Sequence, residues 1–245
     1  MIARADKGNS LVIIPTTQYE CKIEDFIQGN GLLICNTNPT KSFQAQVRRV
    51  INNSKKLIRP YSKWQHIDLN PTAPTIKGLI KLHKPGNPIR PVVNWKGAPS
   101  YKLARRFTQK IKVMAPLSNT HNLENTRNLI KKLEDTPILP QFALASLDIA
   151  NLYTNVPIKG TREIIANTLK KNQTNPPAEQ ELLNWYDTIT KQNYFSNKDK
   201  ILIQQEGLAM GAPTSGIIAE FFLQNLEDTH LTHLSNKHKI VRYFR

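Results

Sequence analysis

The stretch ASLDIANLYTNVP, residues 145–157, places one carboxylate, Asp148, directly after an apolar run, and Tyr153 five residues later. The apolar run begins at Phe142 and predicts a buried strand that ends at Asp148. Burying a lone carboxylate costs several kcal/mol unless a cation pairs with it. The partner is either an arginine or a metal ion. Alternatively, Asp148 caps the following helical turn and Tyr153 fills the core.

The positive charge is concentrated in the first half of the chain. The 245 residues include 34 Lys and Arg against 18 Asp and Glu, a net charge of +16. Residues 1–115 hold 20 basic and 5 acidic residues, and from Lys41 to Lys112 there are 17 basic residues and one acid, Asp68. Such an imbalance favours a polyanionic partner, in particular nucleic acid. The alternatives are a basic surface that binds a membrane and basic residues that only keep the protein soluble.

Other sequence signals exclude several classes of protein. We expect no transmembrane helix, because no run approaches about 18 uncharged apolar residues, and the N-terminus lacks the apolar core of a signal peptide. Cys21 and Cys35 form no CxxC motif, which is typical of reduced thiols and of an intracellular protein.

The pattern divides the chain near residue 115 into a basic part with a hairpin and a mixed α/β part. Turn residues 85–88 (PGNP) predict a hairpin between TIKGLIKLHK and IRPVVNW, and residues 196–199 predict a second hairpin turn. Further strands are predicted at residues 10–15, 142–148 and 239–245. Helices are predicted at residues 17–27, 40–57, 101–114 with Ser100 as cap, 122–135, 158–171, 177–192 and 215–231.

Two further segments have residues suited to chemistry. The hairpin arm GLIKLHKPGNPIRPVV suits phosphate binding through Lys81, Lys84 and Arg90, or else is an edge hairpin protected by lysines. In GLAMGAPTSGIIAE, residues 207–220, glycines allow close approach to a ligand, and Thr214 or Ser215 could cap the next helix. The alternative is an ordinary loop-to-helix turn, and the segment is not a Walker A loop, because no GKS or GKT sequence follows.

Taken in order, these motifs resemble the reverse transcriptase domain of Penelope-like retroelements. The resemblance lies in ADKGNSLVI, KLHKPGNPIRPVVN, SLDIANLYTNVP and GLAMGAPTSGIIAE. It implies an α+β, right-hand polymerase fold, with a basic N-terminal region and fingers at residues 1–115 and a partial palm at residues 116–245, without a thumb. It also implies RNA-directed DNA polymerase activity with an RNA template, a DNA primer and dNTPs as partners, no membrane, and a nuclear location.

The resemblance also implies roles for particular residues. Asp148 corresponds to the first catalytic aspartate, and Asp148 and Ile149 to the binding positions for two Mg²⁺ ions, with Mn²⁺ as an alternative. Residues expected to bind dNTP are Lys81, Lys84, Arg90, Tyr153, Met210 and Gly211, with Tyr153 beside the sugar. Residues expected to contact template or primer are Pro213 and Trp95. Met210 stands where many retroviral-type enzymes have glutamine.

The sequence departs from the family after KIVRYFR, residues 239–245, where the family has a Tyr-x-Asp-Asp hairpin. The thumb and the GIY-YIG endonuclease domain of such elements are also not found. We therefore expect a fragment of a polymerase that is inactive alone. The alternatives are a non-catalytic nucleic-acid-binding remnant and a relic without activity.

Overall fold

The computed structural model describes residues 1–134, 136 and 139–245. The strands are β1 (Ile2–Arg4), β2 (Leu11–Ile13), β3 (Leu33–Cys35), β4 (Thr75–Ile80), β5 (Ile89–Asn94), β6 (Tyr194–Asn197) and β7 (Lys200–Ile203). The α-helices are α1 (Thr16–Gly29), α2 (Thr40–Asn53), α3 (Tyr101–Met114), α4 (Thr126–Glu134), α5 (Leu152–Asn155), α6 (Ile158–Lys171), α7 (Pro176–Thr190) and α8 (Ser215–His238), and Pro60–His66 form a 3-10 helix.

A five-stranded mixed sheet organises the fold, with strand order β3-β7-β6-β4-β5. Strand β6 runs parallel to β4, and the other neighbours in this sheet are antiparallel. Strands β1 and β2 form a separate antiparallel pair. The α+β class is therefore confirmed, and the main sheet takes strands from both sides of residue 115.

The two predicted hairpins are both present. Strands β4 and β5 pair from Thr75 with Asn94 to Ile80 with Ile89. The connecting loop turns through Gly86 and Asn87, which both have positive φ. The second hairpin joins β6 and β7 at Lys198 and Asp199, inside the predicted turn.

The main hydrophobic core lies among helices α2, α3, α6, α7 and α8. Helix α3 buries Leu103, Ala104, Phe107 and Ile111, the spacing of an amphipathic helix. From α7, the fully buried Trp185 donates its indole N–H to Ser54 Oγ at 2.8 Å. This buried hydrogen bond ties α7 to the end of α2.

The end of helix α2 corrects a predicted boundary. The sequence pattern extends the helix to residue 57, but it ends at Asn53. The Glu181 carboxylate accepts the backbone N–H groups of Lys55, Lys56 and Leu57 at 2.6–3.0 Å. A carboxylate from α7 therefore binds N–H groups that a longer helix would have used internally.

Two predicted strands are wrong. Residues 142–149 have no regular secondary structure, and Leu144 and Leu147 are 93% and 95% exposed. Residues 240–245 are also irregular, although the Arg245 backbone bonds to His121 and Leu123 at 2.8 Å. A strand needs a neighbour for its backbone groups, and within the described residues no strand pairs with residues 142–149.

Other differences concern helix ends and short elements. The helix predicted at residues 122–135 begins later, at Thr126, and its predicted end at 135–137 falls partly outside the described residues. Ser100 precedes α3, but its side chain makes no capping hydrogen bond. In the part of the chain that the structure describes, no helix is long and apolar enough to span a membrane.

Candidate functional site

The loop between β7 and α8 requires glycine at two positions. Gly207 has φ +74° and packs against the Thr154 backbone, and Gly211 has φ +80° and packs against the Val93 carbonyl oxygen. A Cβ atom at either position would overlap these backbone atoms. The loop therefore lies directly against α5 on one side and β5 on the other.

Tyr153 is held beside this loop through its backbone. Its carbonyl accepts the N–H of Leu208 at 2.6 Å. The short helix α5 follows Asn151, whose left-handed conformation (φ +51°) turns the chain at this point. Tyr153 is 42% exposed, so its ring is not core filling and remains open to a ligand.

The start of helix α8 is not capped as the sequence pattern suggests. Thr214 occupies the N-cap position without a side-chain capping bond, and the Ser215 hydroxyl donates to the Ala209 carbonyl. The Thr108 hydroxyl on α3 donates a hydrogen bond to the Pro213 carbonyl at 3.2 Å. The loop is therefore fixed to α3 as well as to α5 and β5.

Lys81 and Lys84 lie in the loop that joins β4 and β5. Lys81 donates its backbone N–H to the Pro88 carbonyl at 2.8 Å, and Lys84 donates its own to Lys81 at 3.1 Å. Lys84 is exposed and Lys81 is half-buried. The backbone bonds give this basic loop a defined shape at the end of the hairpin.

Arg90 has a partner that the sequence patterns did not indicate. One of its guanidinium nitrogens, Nη1, lies 3.1 Å from Asp6 Oδ1. The Asp6 side chain is 1% exposed and Arg90 is 54% exposed. Asp6 is held near the hairpin because its N–H donates to the Ile80 carbonyl at 2.8 Å. The rarity of acids in the basic half is the sequence signal that could have identified Asp6.

Asp148 and Ile149 do not occupy the expected strand end. Both residues are exposed in the irregular segment described above. No cluster of three or more His, Cys, Asp or Glu able to hold a metal occurs among the described residues. Metal binding by Asp148 and Ile149 stays a prediction.

Trp95 does not lie on a surface. It is 2% exposed and packs with Val93, Phe195 and Ala212 in a core cluster that Met210 partly covers. Its ring has no open face for a base, so the expected template or primer contact of Trp95 is withdrawn. Met210 and Pro213 are half-buried at the edge of this cluster.

The structure brings together part of the predicted set. Gly211 lies against Val93 of β5, the strand that also carries Arg90, and Met210 packs on the core cluster that contains Val93. Leu208 of the same loop bonds to the Tyr153 backbone. A large cavity of about 870 Å³ lies elsewhere, between β1, α1 and β4, and no predicted site residue lines it. Comparisons with models of known protein families and with curated proteins found no match.

Proposed function

We propose that this chain is part of an RNA-directed DNA polymerase of a retroelement and binds a deoxynucleotide between the loop 207–214, Tyr153 and the β4–β5 hairpin. The observation that supports the proposal most strongly is the contact of this loop with both α5 and β5. Gly211 contacts Val93 of β5, the strand that also carries Arg90, and Leu208 of the same loop bonds to the Tyr153 backbone. Motifs far apart in sequence thus meet in one region, as a nucleotide site requires.

Each residue of the proposed site has a separate task. Lys81 and Lys84 supply the positive charge that a triphosphate needs, and Arg90, which pairs with Asp6 through Nη1, has further N–H donors for a phosphate. Tyr153 lies beside the sugar and excludes a 2′-hydroxyl. Gly211 keeps the loop against β5, because a side chain there would meet the Val93 carbonyl, and so holds the loop backbone beside the proposed nucleotide position.

The proposal includes the wider setting of the reaction. The partners are an RNA template, a DNA primer and dNTPs, with Mg²⁺ as the expected ion and Asp148 as its expected ligand. The polymerase reaction on chromosomal DNA would take place in the nucleus. We expect the chain alone to bind nucleotide without extending a primer, because a two-metal reaction needs more carboxylates than Asp148.

A non-catalytic nucleic-acid-binding role is the second candidate. The exposure of Asp148 and the lack of a metal-binding cluster among the described residues favour it. On this alternative, the basic surface binds nucleic acid without selecting a nucleotide. The two candidates differ in whether the chain prefers dATP to ATP.

Competition binding with fluorescent dATP tests the proposal. We expect unlabelled dATP to compete better than ATP, and Tyr153→Ala to reduce this preference. Tyr243→Ala serves as the control, because Tyr243 is also partly exposed but bonds to Glu227 on α8. Equal competition by ATP and dATP, or an unchanged preference in Tyr153→Ala, would contradict the proposal.

A further inference from the structure

A second surface, formed by the 3-10 helix and α3, combines exposed aromatic rings with unpaired positive charge. We define it as the aromatic–basic patch, and its residues are Arg59, Tyr61, Trp64, His66, Arg106 and Lys110. The 3-10 helix packs on α3, so both elements contribute to one surface. It involves none of the residues of the proposed nucleotide site.

The two aromatic side chains lie on the same edge of the 3-10 helix. Side chains three residues apart eclipse in this helix type, which places Tyr61 and Trp64 about 6 Å apart along the axis. Each residue is 69% exposed. The Arg59 guanidinium donates to the Tyr61 hydroxyl at 2.7 Å and orients that ring. Two large rings open to solvent side by side suit stacking on bases.

The charges of the patch lie close to one another and are not neutralised. Burial lowers the pKa of His66, and the nearby charges of Arg106 and Lys102 lower it further. Burial, then Arg106 and Arg59, likewise lower the pKa of Lys110. Among the described residues, no salt bridge involves a residue of the patch.

Arg106 adds an unsatisfied donor to this surface. Its Nε atom is buried without a hydrogen-bond partner within the described part of the chain, while Nη1 donates to Gln109 at 3.3 Å. Buried donors without partners are unfavourable. An anionic oxygen at the patch would relieve the repulsion among the cations.

We propose that the aromatic–basic patch binds single-stranded nucleic acid, with bases stacked on Tyr61 and Trp64 and phosphates neutralised by Arg59, Arg106 and Lys110. A single strand fits because its bases are free to stack, whereas the bases of a duplex are already stacked inside it. Thr108, which contacts the loop 207–214, lies on the side of α3 opposite Arg106. The patch is therefore a site separate from the proposed nucleotide site, and it does not depend on polymerase activity.

Tryptophan fluorescence can report this site directly. Of the three tryptophans, Trp95 and Trp185 are 2% and 0% exposed, so a stacking ligand can reach only Trp64. We expect oligo(U) of about ten nucleotides to quench Trp64 emission. Oligo(dT) of the same length shows whether the site prefers an RNA or a DNA single strand. A duplex should quench Trp64 emission much less than a single strand does.

Variants test the two parts of the patch separately, with binding measured by anisotropy of labelled oligo(U). We expect Trp64→Ala and Tyr61→Ala each to weaken binding about tenfold, and Trp64→Phe to restore most of it. Arg106→Gln and Lys110→Gln should each make the slope of log K against log salt less steep by about 0.7. Leu69→Ala and Lys200→Gln replace exposed residues outside the patch; they are the controls and should bind like the wild type.

The proposal fails if Trp64→Ala binds oligo(U) as tightly as Leu69→Ala, or if a duplex quenches Trp64 as strongly as a single strand. Circular dichroism should show the same secondary structure for all variants, since each replaced side chain is exposed or only half-buried. Nucleotide competition without oligonucleotide measures the other site, so a failure at one site does not count against the other.

Discussion

Replacing Asp6 and replacing Arg90, which form an ion pair, should lower the stability of the protein by different amounts. Arg90→Gln removes the cation from a carboxylate that is 1% exposed, whereas Asp6→Asn removes the buried charge itself. Leaving one buried charge without its partner costs about 3–5 kcal/mol, but replacing both partners is often nearly neutral. The two single variants should therefore differ in stability although they break the same contact.

The exposure of Arg90 sets the expected magnitude. Because Arg90 is 54% exposed, water screens the pair and reaches the carboxylate when the arginine is lost. We expect Arg90→Gln to lower the free energy of unfolding by about 2 kcal/mol, Asp6→Asn by less than about 1 kcal/mol, and the double variant by about 1 kcal/mol. Asp6→Asn in the background of Arg90→Gln should therefore be stabilising.

Urea unfolding followed by circular dichroism measures these differences. Arg162 and Asp187, which pair at 2.8 Å with both side chains 34% exposed, provide a control pair. Removing either partner there should cost similar, small amounts. Equal destabilisation by Arg90→Gln and Asp6→Asn, or an additive double variant, would refute the view that Asp6 is a buried charge dependent on Arg90.

Three further predictions concern other parts of the molecule. Gly211→Ala should weaken dATP binding and destabilise the fold by about 1–2 kcal/mol or more, since φ is +80° and Val93 blocks the new Cβ; unchanged binding and stability would contradict this. Glu181→Ala should cost about 2 kcal/mol in urea unfolding because three backbone N–H groups lose their acceptor; the exposed Glu163→Ala should cost less than about 0.5 kcal/mol. Burial, Arg106 and Lys102 lower the pKa of His66, so the unfolded state binds the proton more tightly, and stability should fall as the pH drops below the ordinary value of 6.5. His66→Gln should flatten that part of the profile, and an unchanged slope would contradict the assignment.

The sequence predicts the elements that depend on local signals. The β4–β5 hairpin follows from its turn residues, and helices α3 and α6 follow from apolar residues at helical spacing. In the candidate site, local patterns drew attention to Tyr153 and Gly211, but their assignment to dNTP binding comes from the family resemblance and stays a prediction. Their meeting at one loop could not be derived from local patterns, because Leu208 and Tyr153 are distant in the chain.

The errors arise where the structure depends on distant partners. The strands β1 and β3 have three residues each and exist through pairing with β2 and β7, which no local pattern reveals. Residues 142–149 have the apolar composition of a strand but no paired neighbour among the described residues. Trp95 follows a basic hairpin and was expected to contact template or primer, but it is buried in a core cluster.

The proposed polymerase function is tested most directly by a primer–template binding experiment. The 245-residue chain is mixed with a DNA primer annealed to an RNA template, and each dNTP is added in turn with Mg²⁺. We predict that the dNTP complementary to the next template base stabilises the complex more than the other three. Equal stability with all four dNTPs, together with tight binding in their absence, would contradict the account and leave the non-catalytic nucleic-acid-binding role.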